Sequence, residues 1–232
     1  MATAPVSSLE ALKQADASIP TLVQTLNDAI LADESQASDI VWDSWNSLLS
    51  IAGQTPRDKQ GSWQKVIVEG DALWESLPTF GWVARELWNW DIHDPSATAK
   101  DYQDWNNKTA FLAHLTALSN PSEAGDAFNY SLYALWAMRS AFEEDSPRDE
   151  SYVPAVRNAA IWILLAGKAL RSVSSENVAV SDNTGAPGSK FSDKAWKGFS
   201  EERWAVWKEG FREAADLVKD ARAAVEIMED LH

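Results

Sequence analysis

The chain has 232 residues, with 20 Lys and Arg against 35 Asp and Glu, a formal net charge of −15 at neutral pH, no cysteine and three histidines. Such a charge repels nucleic-acid backbones and anionic membrane surfaces unless a basic face is set apart, and no run of Lys and Arg makes one. The lack of cysteine removes disulfides, thiolate zinc sites, iron–sulfur clusters and Cys nucleophiles, and three histidines leave little for a His-rich metal centre.

Apolar residues recur at three and four almost throughout, which predicts an all-α fold, a single domain over residues 1–232 with about nine helices. Ser7 or Ser8 caps a first helix near Leu9 to Ala15, and Ser18 with Pro20 opens a second through Leu22, Leu26 and Ile30. A third carries Val41, Trp45, Leu48 and Ala52 and stops at Gly53 and Pro56. The fourth carries Trp63, Val66, Ile67, Leu73, Trp74 and Leu77 and closes at Pro78. Short helix Phe80 to Trp90, the loop Asp91 to Ser96, and a helix bearing Trp105, Leu112, Leu115 and Leu118 follow.

Phe128, Leu132, Leu135, Arg139 and Phe142 share one helical stripe, ended by an acidic linker from Glu143 to Glu150. Val153 to Leu170 is apolar on nearly every side and reads as the central buried helix. From Ser174 to Phe199 the composition turns to Ser, Asp, Gly and Asn, a connection long enough to read as a mobile flap or an unstructured insert. Trp204, Trp207, Phe211, Ala214, Val218, Ala221, Val225 and Met228 then step alternately by three and four, a heptad seam on one long last helix capped by Ser200.

No secretory signal is visible in Met1 to Gln14, and the longest apolar run, Ala159 to Ala166, is far short of the roughly 20 residues a spanning helix needs. A cytoplasmic address is therefore the expectation, with no membrane partner. The Asn-x-Ser/Thr patterns at Asn107 and Asn129 are then coincidences of composition.

Catalytic chemistry is thinly signalled. One Glu-x-x-His spacing occurs, Glu229 to His232, at the chain end, where a di-metal bundle needs two such turns and further glutamates; no metal and no cofactor are expected. Gly185-Ala186-Pro187-Gly188-Ser189-Lys190 superficially resembles a phosphate loop, but with the wrong spacing and no preceding strand it reads as a loop.

Three polar residues on apolar faces are the catalytic candidates. Arg139 cannot shed its charge and must find a carboxylate, a carbonyl or an anionic ligand; Glu143, one turn on, is the obvious internal partner, and a structural salt bridge is the favoured reading. Glu86 lies between Trp82 and Trp90, so an enclosed face would raise its pKa and suit it to acid–base work, whereas an open face leaves it merely solvated. His114 flanks Phe111, Leu115 and Leu118, a position more often filled by a hydrogen-bonded core histidine than by a catalyst.

Tryptophan is the unusual feature, 13 residues of it. Each ring buries on the order of 200 Å², so they must be core, interface or pocket wall, and most, Trp45, Trp63, Trp74, Trp204 and Trp207 among them, fall on apolar faces as core. Trp88 and Trp90 beside a loop, and Trp196 in the long connection, suggest enclosure of an apolar or aromatic small molecule, with Trp82, Tyr133 and Trp136 as further ligand-binding candidates.

Several stretches together resemble a fungal family known only as a domain of unknown function, number thirty-six thirty-two. They are Leu77-Pro78 followed by Arg85-Glu86-Leu87-Trp88, Ala113-His114-Leu115-Thr116, Leu132 to Arg139, and Arg203-Trp204-Ala205-Val206-Trp207-Lys208, spread over residues 40 to 225. At His114 the family pattern leads one to expect arginine. The resemblance implies an all-helical intracellular fungal protein, with some relatives in secondary-metabolite gene clusters, and brings no catalytic residues. Two functions then stand side by side: a cofactor-independent small-molecule enzyme or binder, promoting cyclisation or isomerisation by holding one conformer, and a helical interaction module, a homodimer through the last helix.

Overall fold

A computed structural model describes residues 28, 37–60, 79–90, 94, 96–123, 125–145, 152–181 and 183–231. Among them are seven α-helices and no strand, so the fold is all-α. The helices read near Leu9 to Ala15 and over Trp63 to Leu77 lie outside the described residues, as does the one through Leu22 to Ile30 except for Asp28, and as does His232. The other six sequence-read helices are all present, and the last of them is split in two. The chain forms two compact units: Met1–Asp91 with Gln103–Phe111, and Ile92–Tyr102 with Leu112–His232.

In the first unit, α1 (Ala37–Gln54) turns Ile40, Val41, Trp45, Leu48, Leu49 and Ala52 inward, the spacing of one helical face. Phe80, the first residue of α2 (Phe80–Trp88), sets its ring edge-on between Trp45, at 5.6 Å, and Phe111, at 6.3 Å. Phe111 belongs to α3 (Ala99–Leu118), whose residues 103–111 fall in this unit. The end of α1 is tied to α3 by two buried amides. Asn107 donates to the Gly53 carbonyl at 2.8 Å, and the Gln60 amide lies 2.8–3.0 Å from the carbonyls of Ala52, Thr55 and Asn107. Orphan carbonyls at the C-terminus of α1 are satisfied in this way. The Asn107 amide is thereby buried and committed, which denies it to glycosylation.

In the second unit α3 begins at a capping box, Thr98 with Asp101, and ends at Leu118. Short α4 (Ser131–Met138) runs directly into a π-helical turn, Arg139–Glu143. Central α5 (Tyr152–Ser175) buries Val156, Ala159, Ala160, Ile161, Trp162, Ile163, Leu170 and Val173. By length and composition it is apolar enough to cross a membrane, yet 61% of its most apolar window is buried inside the chain's own packing. Against it lie α4, α6 (Glu201–Ala214) and α7 (Lys219–Asp230).

The single long last helix expected from the heptad seam does not form: α6 stops at Ala214 and Val218 is extended, with φ −127° and ψ 110°. Backbone N–H groups of Leu217 and Val218 both bond back to the Ala214 carbonyl, so Ala214 and Val218 stay buried across the turn while Leu217 is 63% exposed. The seam therefore continues through a corner that lets α7 fold against α5. Its residues Trp204, Trp207, Phe211, Ala214, Val218, Ala221 and Met228 are buried within the unit, and Val225 is half-buried.

Residues 176–181 and 183–199 form a strap. Val180 and Phe199 N–H groups pair with the Lys197 and Val178 carbonyls around an isolated antiparallel bridge between Ala179 and Gly198, and a 3₁₀ turn spans Ser189–Phe191. Gly198 holds φ +147° with its Cα facing the Val178 carbonyl so closely that a Cβ would sit 2.4 Å from that oxygen.

Candidate functional site

The interior of the second unit is organised by one buried ion pair. Arg203 on α6 and Glu143 at the end of the π-turn are both 0% exposed, and they meet fork to fork, Nε to Oε1 at 2.7 Å and Nη2 to Oε2 at 2.8 Å. Arg203 spends its remaining donors on the strap: Nη1 donates to the Gly185 and Gly198 carbonyls, both at 2.8 Å, and Nη2 to the Ala186 carbonyl at 3.1 Å. Glu143 accepts two further bonds, from Trp207 Nε1 at 2.6 Å and from the Gly188 N–H at 3.1 Å. All five guanidinium hydrogens and all four carboxylate lone-pair positions are thus used. The guanidinium also lies over the rings of Trp196 and Trp207, 5.4 and 5.7 Å from their centroids. With no donor or acceptor left over, this node holds the strap and offers nothing to a ligand.

The expected Arg139–Glu143 pairing is overturned here. A π-turn places residues five apart in contact, and Arg139 accordingly faces Glu144, Nε to Oε1 at 3.7 Å, and the Ala186 carbonyl, Nη1 to O at 3.4 Å. Glu143, read as the start of an exposed linker, is swung inward by the same extra residue per turn. The phosphate-loop-like string uses its N–H groups on carboxylates of the chain itself: Gly188 on Glu143 and Ser189 on Glu144, at 3.1 and 3.2 Å. Trp196 is core as well, its ring beneath Arg203 and its Nε1 donating to Glu202 at 2.7 Å. Lys194, with Trp196 next, holds the Glu202 carboxyl below the usual glutamate range.

The other sequence candidates divide between the two units. Glu86 stands exposed on α2 beside Trp82, which is 69% exposed, so the open-face alternative describes it. Trp88 and Trp90 are half-buried, each tilted against Trp105 with centroids 4.7 and 5.4 Å apart. Those rings belong to the first unit. Tyr133 and Trp136 belong to the second, edge to face at 5.4 Å, with Tyr133 stacked on Tyr130 at 6.0 Å and Trp136 Nε1 donating to the Thr184 carbonyl. Burial, with Tyr133 and then Asp126 nearby, pushes the Tyr130 phenol far above its ordinary value, so it remains protonated. His114 is half-buried on α3.

What can take a ligand is a cleft of about 380 Å³ in the second unit, lined by Ala117 of α3, residues 163–169 of α5, and Ile227, Asp230 and Leu231. It exists because α5 is kinked. Ala166, at φ −122° and ψ 15°, leaves helical geometry in mid-helix without any proline. The three residues before it, Ile163, Leu164 and Leu165, and the three after it, Gly167, Lys168 and Ala169, all line the cleft. Gly167 lets α7 approach beside the kink, since a Cβ there would stand 3.3 Å from Ile227 Cγ2 and Leu231 Cδ1. Leu164, Leu165, Ile227 and Leu231 are only half-buried and present apolar side chains to the opening. None of Glu86, Arg139 and His114 lines it. Sequence reasoning missed this site because its signal, a single alanine out of helical geometry, follows from no residue type.

An all-α chain with an apolar cleft at a helix kink is the class the fold defines. Over residues 7–211 the chain matches the model of the family described as "Protein of unknown function (DUF3632)", and it belongs to that family. No curated protein and no solved structure matches it. Among the described residues no group of three or more His, Cys, Asp and Glu could hold a metal ion.

Proposed function

We propose that the chain binds a small apolar or amphipathic molecule in the kink cleft of its second unit. The observation that carries this is the coincidence of the Ala166 kink with a cleft of about 380 Å³ walled by Leu, Ile, Ala and Gly, within the size range of small-ligand pockets. The lining supplies shape and a few backbone polar groups, with Lys168 and Asp230 as its only charged side chains, which suits retention of a ligand better than acid–base or nucleophilic chemistry on it. Binding is thus favoured over cyclisation or isomerisation. The secondary-metabolite setting implied by the family resemblance is compatible with a ligand of this size and apolarity.

Decan-1-ol, small, neutral and amphipathic, tests the reading by titration calorimetry. Binding with a negative heat-capacity change is the expected result, because apolar surface is buried. Ala117→Phe, at an exposed position lining the cleft, should weaken that binding by about tenfold or more while leaving thermal stability in place, since surface substitutions usually change stability by about 0.5 kcal/mol or less. No heat with the parent chain, or full affinity in the variant, contradicts the assignment.

A further inference from the structure

The charges around the cleft are lopsided. Asp230 lines it from the last turn of α7, where the helix already carries partial negative charge and where no basic residue stands. Its neighbour Glu229 is held by Arg212 at 2.8 Å, whereas Asp230 has no such cation among the described residues. The kink itself adds no net sign, since the carbonyls of Ile163, Leu164 and Leu165 before it and the N–H groups of Gly167, Lys168 and Ala169 after it belong to the same wall. Against Asp230 stands Lys168, an exposed ammonium on a long stem that can turn to water. The net charge of −15 reinforces the bias for any approaching ion.

From this arrangement we infer that the cleft selects a small amphipathic amine, its apolar body along the walls and its protonated nitrogen donating to the Asp230 carboxylate. The inference rests on the cleft being a ligand site, and adds the chemistry of the ligand's polar end. An ammonium relieves an acidic group set at the wrong end of a helix dipole; a carboxylate in the same place meets the α7 C-terminus and Asp230 together.

Three probes of equal chain length, decan-1-amine, decan-1-ol and decanoate, titrated below their aggregation limits at neutral pH and low salt, separate the possibilities. The ammonium is expected to bind about five- to tenfold tighter than the alcohol, and decanoate weakest. Asp230→Asn, which only removes an ill-placed surface charge, should bring the amine down to the alcohol's affinity and leave the alcohol unchanged. Lys168→Gln should strengthen amine binding further, and added salt should compress the differences. Equal affinity for amine and alcohol, tighter binding of decanoate, or an Asp230→Asn variant that keeps the amine preference overturns the inference while the cleft still holds the alcohol. Failure of all three probes to bind overturns both readings.

Discussion

Arg203→Met is expected to destabilise the second unit by about 3–5 kcal/mol, because it strands a fully buried carboxylate. For a chain of this size that corresponds to a melting temperature lower by about 6–20 °C. The loss exceeds that of an ordinary ion pair in its extent. Besides Glu143, the carbonyls of Gly185 and Gly198 lose their donor at once, that of Ala186 keeps only Arg139, and the strap loses its attachment to α6. Replacing both partners by leucine discriminates between a simple pair and a hub. A simple buried pair exchanged for apolar side chains is often close to neutral. Here the double change still leaves Trp207 Nε1, the Gly188 N–H and the carbonyls of Gly185 and Gly198 without their partners, so about 2 kcal/mol or more of the loss should persist. Urea unfolding followed by tryptophan emission measures both; a shift below about 1 kcal/mol for Arg203→Met contradicts the role given to the node.

Gly188→Ala is the second large effect expected. Gly188 has φ −72° and ψ 173°, a conformation open to any residue, so its identity is set by contact alone. An alanine Cβ would lie 2.5 Å from the Glu143 carbonyl oxygen and 2.6 Å from its carbon, with backbone on both sides of the clash. Neither side can give without dragging the strap off the π-turn, which also breaks the Gly188 N–H bond to Glu143. Overpacking of this kind costs about 1–3 kcal/mol, and the lost bond places this site at the upper end. Gly81 on α2 is the control: nothing lies within 4 Å of its would-be Cβ, so Gly81→Ala should stabilise the chain by about 0.5 kcal/mol through lower backbone entropy in the unfolded state. Equal effects of the two substitutions in the same unfolding assay contradict the contact argument.

Helices were legible where apolar spacing alone determines them. The face of α1, the burial of α5, the Ser200 cap and the inward tryptophans of α6 all follow from periodicity and capping chemistry. Features that depend on an irregular backbone were not. The corner between Ala214 and Val218 preserves the four-residue step of the seam, so the pattern reads straight through it with no Gly or Pro to mark the turn. The π-turn adds a residue per turn without any signature, and it exchanges Glu143 for Glu144 as the neighbour of Arg139. Glycines of the strap looked like loop punctuation, whereas Gly188 and Gly198 are required by close backbone approach. Most tryptophans read as core from their spacing, and only Trp88, Trp90 and Trp196, beside or within loops, as pocket walls. Trp196 is instead a platform for a buried arginine, and Trp88 and Trp90 pack on Trp105. The cleft escaped notice for the same reason as the π-turn: it is made by dihedral angles at Ala166, and nearly any helix-forming residue reads alike there.

Ligand binding at the kink is tested most directly by a crystal structure of the chain grown with saturating decan-1-ol. The alkyl chain is expected between Ala117, the turn around Ala166 and Leu231, with its oxygen near a carbonyl of the kink. Density for the alcohol elsewhere with this cleft empty, or an α5 that runs straight through Ala166 and leaves no cleft, contradicts the account.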